Sequence, residues 1–477
     1  MKELINYELK PNDEPEIVFA HSIFVPYDPL VGLYYHRRSF AVPYDYTGWR
    51  DETISWKETC YIHGNLNPSP TYRIKGPAAL KFLSDTCVNS FANFSVGTGK
   101  HAIMCNEEGL VMMDGVLLRI GEEEFITYWM APYVAYALQK GNYDASGEDL
   151  TGKVFLFQIA GPRSLEVLEA ATGDDLHDIR FMHHRLSSID GMEVRVLRMG
   201  MAGTLAYELH GQVGYARPVY NAVLKAGEPF GIRRLGAHAY MLNHTEDGFP
   251  QAYYHFTYPW AEDKAFAEYI SKAGDALVLN TNFVGSMGTD ISLRYRNPVE
   301  LGWAGMIKFD HDFIGRKALE KEVANPHRKM VTLVWNAEDI IDVYRSQFQP
   351  GEPYLNMDRP NDRNGYGRHT YHANKVLKDG KLVGISSGRA YSYYYRQMLS
   401  LCSIDVKYGD IGIEVIVLWG NPGTRQKEIR ATVSRFPYLN ENRNQVVDVN
   451  KIPRLANRKR CSDFGGLAPK TSQQAGS

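Results

Sequence analysis

The run Arg198-Met199-Gly200-Met201-Ala202-Gly203-Thr204-Leu205-Ala206-Tyr207-Glu208-Leu209-His210-Gly211 places one carboxylate just past a bend of small residues. Glycines at that density let a backbone turn sharply or lie close to a ligand. Tyr207 and Leu209 alternate with Glu208 and His210, the pattern of a short strand with one polar face. A carboxylate so placed can accept two parallel N–H bonds from a flat heterocycle with an amidine-like edge, such as a pterin. Met201 and Gly203, in the bend, are expected to lie against that ring. A second dense run holds His238, Tyr240, His244, Glu246 and Asp247, but without HExxH or a comparable facial spacing, so no metal is expected. A third, residues 251–260, carries Tyr253, Tyr254, His255, Phe256, Tyr258 and Trp260. It is too polar for a core strand and reads as an aromatic wall or lid facing a ligand.

The elements that must position these groups follow from periodicity and punctuation. Trp49 and Trp56, seven apart, suit one face of a short helix. The segment Asn65-Leu66-Asn67-Pro68-Ser69-Pro70 is a loop, because its two prolines exclude regular structure. The residues from Tyr72 to Leu83 read as strand, Gly76-Pro77 turn and amphipathic helix, with proline at the helix start. The same order recurs from Phe155 to Leu168 around Gly161-Pro162, a weak internal repeat that implies two similar α+β units. Between them, residues 108–120 read as a hairpin with a bulge near Gly115, and residues 125–132 as the returning strand. Ser95-Val96-Gly97-Thr98-Gly99-Lys100 lacks the spacing of a phosphate loop and is expected to be a turn. A helix is expected within 215–235, and another behind Asp312 as its cap. Short strands after Asn325-Pro326-His327 suggest a small β-barrel or sandwich. Residues 351–371 read as a long loop and 451–477 as a frayed polar tail. The expected organisation is a region 1–325 of two units, about 1–150 and 151–325, then a barrel over 326–450 and the tail.

Composition sets outer limits. A chain of 477 residues allows about two to four domains. With 44% hydrophobic and 23% charged residues it has the mix of a soluble globular protein. A formal net charge of -2 gives no argument for nucleic acid or membrane binding. No apolar h-region follows Met1, no apolar run approaches bilayer-spanning length, and the five cysteines are scattered, which together suit a reducing cytoplasm. The excess of aromatics, 31 Tyr and 20 Phe, hints at flat ligands.

The order of Gly76-Pro77, Asp114-Gly115, Gly161-Pro162, the glycine turn before Glu208, Gly236-Ala237, Asp312-Phe313-Ile314-Gly315-Arg316 and Val383-Gly384-Ile385-Ser386-Ser387-Gly388 resembles the aminomethyltransferase (glycine-cleavage T-protein) superfamily over most of 70–435. Met199-Gly200-Met201-Ala202-Gly203 and the run from Lys308 to Arg316 look closest to the tetrahydrofolate-dependent aromatic O-demethylases: the vanillate/3-O-methylgallate and syringate demethylases, with the dicamba demethylase as a cousin. The resemblance implies an α+β fold of three domains in a cloverleaf, with a C-terminal β-barrel and tetrahydrofolate in a central channel. It implies that Glu208 grips the pterin and that Gln158 lies nearby. Ala160 stands where the family usually has a second Gln. Asp114 falls where T-proteins carry an acidic residue near the reacting nitrogen, and Tyr258 matches a tyrosine important in the vanillate demethylase. The demethylase arginine that holds a benzoate carboxylate falls at or next to Met130, and the demethylase His pair falls near Asn67-Pro68. The substrate end is therefore rebuilt, around Tyr35, Arg37, Met130 and Tyr254; either Arg37, Arg38 or His255 holds the carboxylate, or the substrate has none.

The activity so implied is O-demethylation of a methoxylated aromatic acid, vanillate- or syringate-like or a chlorinated methoxybenzoate, giving 5-methyltetrahydrofolate and a phenol. The methyl moves by in-line displacement, which demands collinear nitrogen, carbon and oxygen and a hydrogen bond or proton at the departing oxygen. Tyr258 suits that oxygen, since a phenol matches a departing phenolate; Asp114 and His255 are its expected catalytic companions. Within the family the rivals are aminomethyl transfer and methyl transfer from a sulfonium or amine, and the rival of another class is a non-catalytic folate-binding factor. The Lys-Gly-Cys-x-x-Gly-Gln-Glu type motif of those factors is absent.

Overall fold

The computed structural model of the chain describes residues 20–37, 40–272, 282–357 and 370–455, with side chains at all of them except 35–37 and 282. The Gly-Pro repeat is real. Strand Thr71–Lys75 turns through Gly76 into helix Ala79–Thr86, and strand Val154–Ala160 turns through Gly161 into helix Ser164–Thr172. Both glycines have φ near +136°, at +137° and +135°, a region closed to ordinary side chains.

Each repeat builds an antiparallel sheet. The first runs Gly99–Cys105, Val111–Gly121, Glu124–Tyr128, Thr71–Lys75, Ser146–Asp149. The second runs His184–Ile189, Met192–Leu197, Ala206–Gln212, Val154–Ala160, Cys60–His63, with Ile232–Arg234 added in parallel. The two exchange a strand. Cys60–His63, which leads into the first repeat, pairs with Val154–Ala160 of the second, and Ser146–Asp149, which leads into the second, pairs with Thr71–Lys75 of the first. Strand membership therefore does not divide near residue 150.

Alternation gives each sheet two unlike faces. In the second sheet Phe157, Ile159, Tyr207 and Leu209 join Leu165, Leu168, Val219 and Val223 of helices Ser164–Thr172 and Ala216–Gly227 in one apolar core. Its other face contributes Leu156, Ala160, Leu197 and Ala206 to a core shared with Val116, Leu118 and Tyr128 of the first sheet. The two sheets thus face each other. Helix Ala237–Asp247 packs into that layer through Ala239, Tyr240, Met241 and Leu242 and also meets helix Trp49–Glu58 and strand Lys381–Ser392. Every residue of this helix is buried, polar ones included.

The third body is a closed barrel in the order Thr370–Lys378, Lys381–Ser392, Gln397–Asp405, Arg328–Trp335, Lys427–Ser434, Glu414–Trp419, closing by pairing of Val376 with Val417 and Leu377 with Ile416. Val331, Leu333, Trp335, Val417, Trp419, Ile429 and Val433 fill it.

Several local expectations are corrected. Gly115 marks no bulge: Val111–Gly121 is one strand whose register shifts lie at Met104/Cys105 and Arg119/Gly121. The glycine is required because a Cβ there would meet the Tyr128 carbonyl oxygen at 2.3 Å. Asp312 does not cap the following helix, Arg316–Ala324, which is entered through Gly315 at φ +87°; Asp312 instead pairs with Arg316 at 3.0 Å. The start of the expected tail is docked, with Ile452 O and Leu455 N held by His177 and Glu169; residues 456–477, and 358–369 of the stretch expected as a long loop, lie outside the described residues.

Candidate active site

Two polar clusters occupy the facing sheet surfaces. On the second sheet, cross-strand register sets Glu208 beside Gln158 and Gln158 beside His63. Gln158 Nε2 donates to Glu208 Oε1 at 2.9 Å, and His210 Nε2 donates to Glu208 Oε2 at 3.1 Å. All three side chains are buried. Burial pushes the His210 pKa down, and its Nδ1 has no hydrogen-bond partner, so the ring is neutral. The central helix covers this row. Tyr240 stacks on His63 with centroids 4.3 Å apart and planes at 6°, and Asn243 Nδ2 reaches the Tyr61 hydroxyl at 3.3 Å. Among the described residues, Gln158 Oε1 and Asn243 Oδ1 are buried acceptors without a donor. Buried amide oxygens are seldom left so, and each unpaired one costs about 1–3 kcal/mol.

The first sheet carries the second cluster. Asp114 Oδ1 accepts from the Tyr258 hydroxyl at 2.7 Å, and Asp114 Oδ2 faces His101 Nε2 at 2.9 Å. Burial, then the facing carboxylate, holds the Tyr258 pKa well above the usual phenol value, so the hydroxyl keeps its proton. Aromatic side chains enclose the pair. Trp260 stacks on Tyr258 at 5.0 Å and anchors its indole N–H on Met112 O, while Tyr253 stands edge-on to Tyr258 at 6.1 Å. Tyr128, from the first sheet, reaches the Glu208 cluster, its ring 4.1 Å from that of His210.

The structure therefore brings together Glu208 with Gln158, and Asp114 with Tyr258. It places other expected residues elsewhere. His255 accepts the Gln251 N–H at Nδ1 and lies 3.3 Å from Thr245 Oγ1, which donates to Gly388 O; the ring packs against Gly388, at the register shift of the barrel strand Lys381–Ser392. Burial pushes its pKa well below the ordinary value. Tyr254 donates to Arg389 O at that same junction. Gly203, at φ +75°, lies against the Asp247–Arg443 ion pair, where a Cβ would collide, and Met201 packs against the core between the sheets. Met130 is fully buried in the first sheet's core. The Tyr35, Arg37 and Arg38 side chains lie outside the described residues.

Sequence reasoning missed His63, His101, Tyr61 and Asn243. Asn243 lies inside the run 238–247, where the pattern of His and acids drew attention to metals. Those residues fan out around the helix: His238 to Asp45, Glu246 to Lys57 and Trp56, Asp247 to Arg443.

Comparison with known proteins places this geometry in a family. Residues 39–256 match the family model described as GCVT N-terminal domain. The chain is 46% identical over 425 residues to the sesamin methylene transferase of Sinomonas sp. (strain No.22), covering 87% of this chain and 94% of that protein. It is 31% identical over 429 residues to the syringate O-demethylase of Sphingobium sp. (strain NBRC 103272 / SYK-6), covering 83% and 90%. The fold is similar to that of the glycine cleavage system aminomethyltransferase T of Bartonella henselae, with a TM-score of 0.63 at 16% identity over 87% of this chain and 96% of that one. Two exchanged α+β sheets, a closed C-terminal barrel and this extent of similarity agree: the chain belongs to the aminomethyltransferase (glycine-cleavage T-protein) superfamily and is a tetrahydrofolate-dependent transferase acting on a small molecule.

Proposed function

We propose that this enzyme moves the one-carbon unit of an aryl ether to tetrahydrofolate, with a methylenedioxy-substituted arene as the leading substrate class. The observation that carries the reading is the Tyr258–Asp114 pair, a phenol held protonated inside an aromatic enclosure. Such a pair suits a reaction whose barrier is the departure of a phenolate, because a phenol donor matches a phenolate acceptor in proton affinity.

The residues fit the cofactor. The edge of a reduced pterin is rich in N–H donors, and Glu208, Gln158 Oε1 and Asn243 Oδ1 offer a buried carboxylate and two acceptors lacking donors. Glu208, Gln158 and Asn243 would hold that edge, with the Tyr61 hydroxyl beside Asn243. Bound tetrahydrofolate supplies the nucleophilic amine. The residues of this chain orient the ether for in-line attack, exclude water and place a proton at the departing oxygen.

The relative at 46% identity is a methylene transferase for sesamin, whose methylene bridges two phenolic oxygens, and this favours the methylenedioxy class. Met130, at the position corresponding to the demethylases' carboxylate-binding arginine, is apolar and fully buried, which favours an uncharged ether. The second reading is O-demethylation of a methoxylated aromatic acid, favoured by the syringate O-demethylase at 31% identity. The two differ in the oxidation level of the carbon. A methylene bridge yields 5,10-methylenetetrahydrofolate and a catechol, each of the two amines losing one proton and each of the two phenolic oxygens gaining one. A methyl ether yields 5-methyltetrahydrofolate and a phenol.

The test incubates purified enzyme and tetrahydrofolate with sesamin, piperonylate, vanillate, syringate and a dichlorinated 2-methoxybenzoate. Stoichiometric 5,10-methylenetetrahydrofolate and catechol from a bridged substrate is the expected result. Formation of 5-methyltetrahydrofolate and a phenol instead selects the second reading. Folate binding without transfer from any ether overturns both.

A further inference from the structure

We propose that His101 is the proton source of the site, feeding the departing ether oxygen through Asp114 and Tyr258. This rests on the aryl-ether reading above. His101 lies on strand Gly99–Cys105, opposite Val116 in register, so its ring shares a face with Asp114 two residues along the neighbouring strand. Its Nε2 faces Asp114 Oδ2 at 2.9 Å and its Nδ1 faces the Met306 sulfur at 3.2 Å. A carboxylate and a thioether are both acceptors, and neither can donate. The ring that satisfies both contacts carries a proton on each nitrogen. Trp303, edge-on at 4.7 Å and 90°, and Phe249, at 5.1 Å, fix its plane. The titratable groups around it are Asp114 itself and, beyond Asp114, His244, whose pKa burial pushes down to about 4, so that its ring is neutral.

The Tyr258 hydroxyl is directed at Asp114, so a proton it gives away must be replaced from behind. The chain His101–Asp114–Tyr258 supplies that replacement. As the carbon–oxygen bond breaks with its electron pair on oxygen, the Tyr258 proton passes to that oxygen. Asp114, protonated by His101 Nε2, returns a proton to the Tyr258 oxygen. The carbon is now bonded to the amine nitrogen, and the amine's displaced proton goes to solvent. His101, its side chain 13% exposed, regains a proton from the same solvent. No oxidant or reductant is needed and the proton count closes.

His101 acts on the substrate only through two other residues, so its test must read leaving-group chemistry as well as rate. His101→Gln keeps an N–H for Asp114 Oδ2 and removes the transferable proton. Wild type and variant are compared on methylenedioxybenzenes and 2-methoxyphenols bearing no, one or two ring chlorines. Chlorine lowers the pKa of the departing phenol and with it the need for an acid. The expected loss in kcat is about 100-fold on the unchlorinated ring, as for loss of a general acid, and shrinks with each chlorine to within about 5-fold. The KM for tetrahydrofolate and the melting temperature stay near wild type. A variant whose loss is the same across the series, or that loses nothing, overturns the relay while wild-type turnover keeps the aryl-ether reading intact. Absence of wild-type turnover on the whole series overturns both.

Discussion

Gln158 and Glu208 are register partners on adjacent antiparallel strands, and the amide donates to the carboxylate at 2.9 Å. That bond fixes which way the amide points. Its nitrogen is committed to Glu208, and its oxygen is left as a buried acceptor. The carboxylate thus organises a second acceptor beside itself, which is what a donor-rich heterocycle edge requires.

Glu208→Gln tests this arrangement. The substituted amide keeps one oxygen acceptor, turns its NH2 toward either Gln158 Nε2 or His210 Nε2, and carries no charge. We expect tetrahydrofolate to bind about 10- to 100-fold more weakly, the range for losing one charge-assisted hydrogen bond of about 1.5–3 kcal/mol. Titration calorimetry measures it. Affinity within a factor of two of wild type would remove Glu208 from the folate site.

Tyr258→Phe and Asp114→Asn probe the other cluster. Each is expected to lower kcat about 100-fold on an unactivated ether, and the double variant is expected to be little worse than either single one, because groups acting as one unit are not additive. Full additivity in single-turnover kinetics would mean that the 2.7 Å contact between them is not used in the reaction.

The strand exchange depends on Gly161. A Cβ there would meet Thr59 O at 2.4 Å and Cys60 Cα at 2.5 Å, at the start of the exchanged strand Cys60–His63. Gly161→Ala is expected to destabilise by about 3 kcal/mol or more, from a forbidden φ and a backbone clash together. Gly173, at φ +74° with open space around it, serves as the control, and Gly173→Ala should cost about 1 kcal/mol. Denaturant unfolding of the two variants separates them; equal losses would mean that the exchanged strand can yield.

The contrast between those glycines also marks what a sequence can and cannot carry. The two Gly-Pro turns, the carboxylate after the glycine bend and the alternating strands of the barrel are local patterns, and local pattern suffices for them. Cys60–His63 is four residues whose sheet is chosen by a partner nearly 100 residues away, so no local signal names it. His101 belongs to no motif, and only the register of Gly99–Cys105 against Val111–Gly121 carries its ring to Asp114. The polar run 238–247 looked like one cluster because sequence proximity hides direction. On a helix its members point to different bodies, and the residue that reaches Tyr61, Asn243, is the least conspicuous of them. His255 misled for a related reason, since an aromatic neighbourhood in sequence placed it beside Tyr258, whereas its ring packs against Gly388 of the barrel strand.

Glu52 gives the fold a pH dependence of known sign. Its buried carboxylate accepts the backbone N–H groups of Tyr46, Thr47 and Gly236, tying the entry of the central helix to the first helix, yet burial outweighs those bonds and pushes its pKa up to about 7. The folded chain therefore binds this proton more tightly than the unfolded chain does. The stability it contributes is fully present below about pH 4.5 and is lost as pH rises through about 7. Relative to Glu52→Gln, wild type should lose melting temperature between pH 5 and pH 8, by about 5 °C. Melting curves that stay parallel for the two proteins across that range would show that Glu52 carries no such shift.

Asn444 ties a late segment of the chain to the bend before Glu208. Its backbone N–H donates to Gly203 O at 3.0 Å and its Nδ2 to Ala206 O at 3.2 Å, so it holds both sides of the bend that delivers Glu208. Arg198, buried before the same bend, donates to Asn444 Oδ1 at 3.2 Å, to Asn444 O at 2.8 Å and to Val447 O at 2.9 Å. Asn444→Ala leaves Arg198 Nε and Ala206 O without these partners, a loss of about 2–4 kcal/mol of stability if both stay dry. Because Ala206 opens the strand that carries Glu208, the functional effect should fall on cofactor affinity: KM for tetrahydrofolate rises about 10-fold while kcat at saturation stays within about twofold. A variant that melts earlier but keeps its folate KM would show that this segment stabilises the fold without positioning the carboxylate.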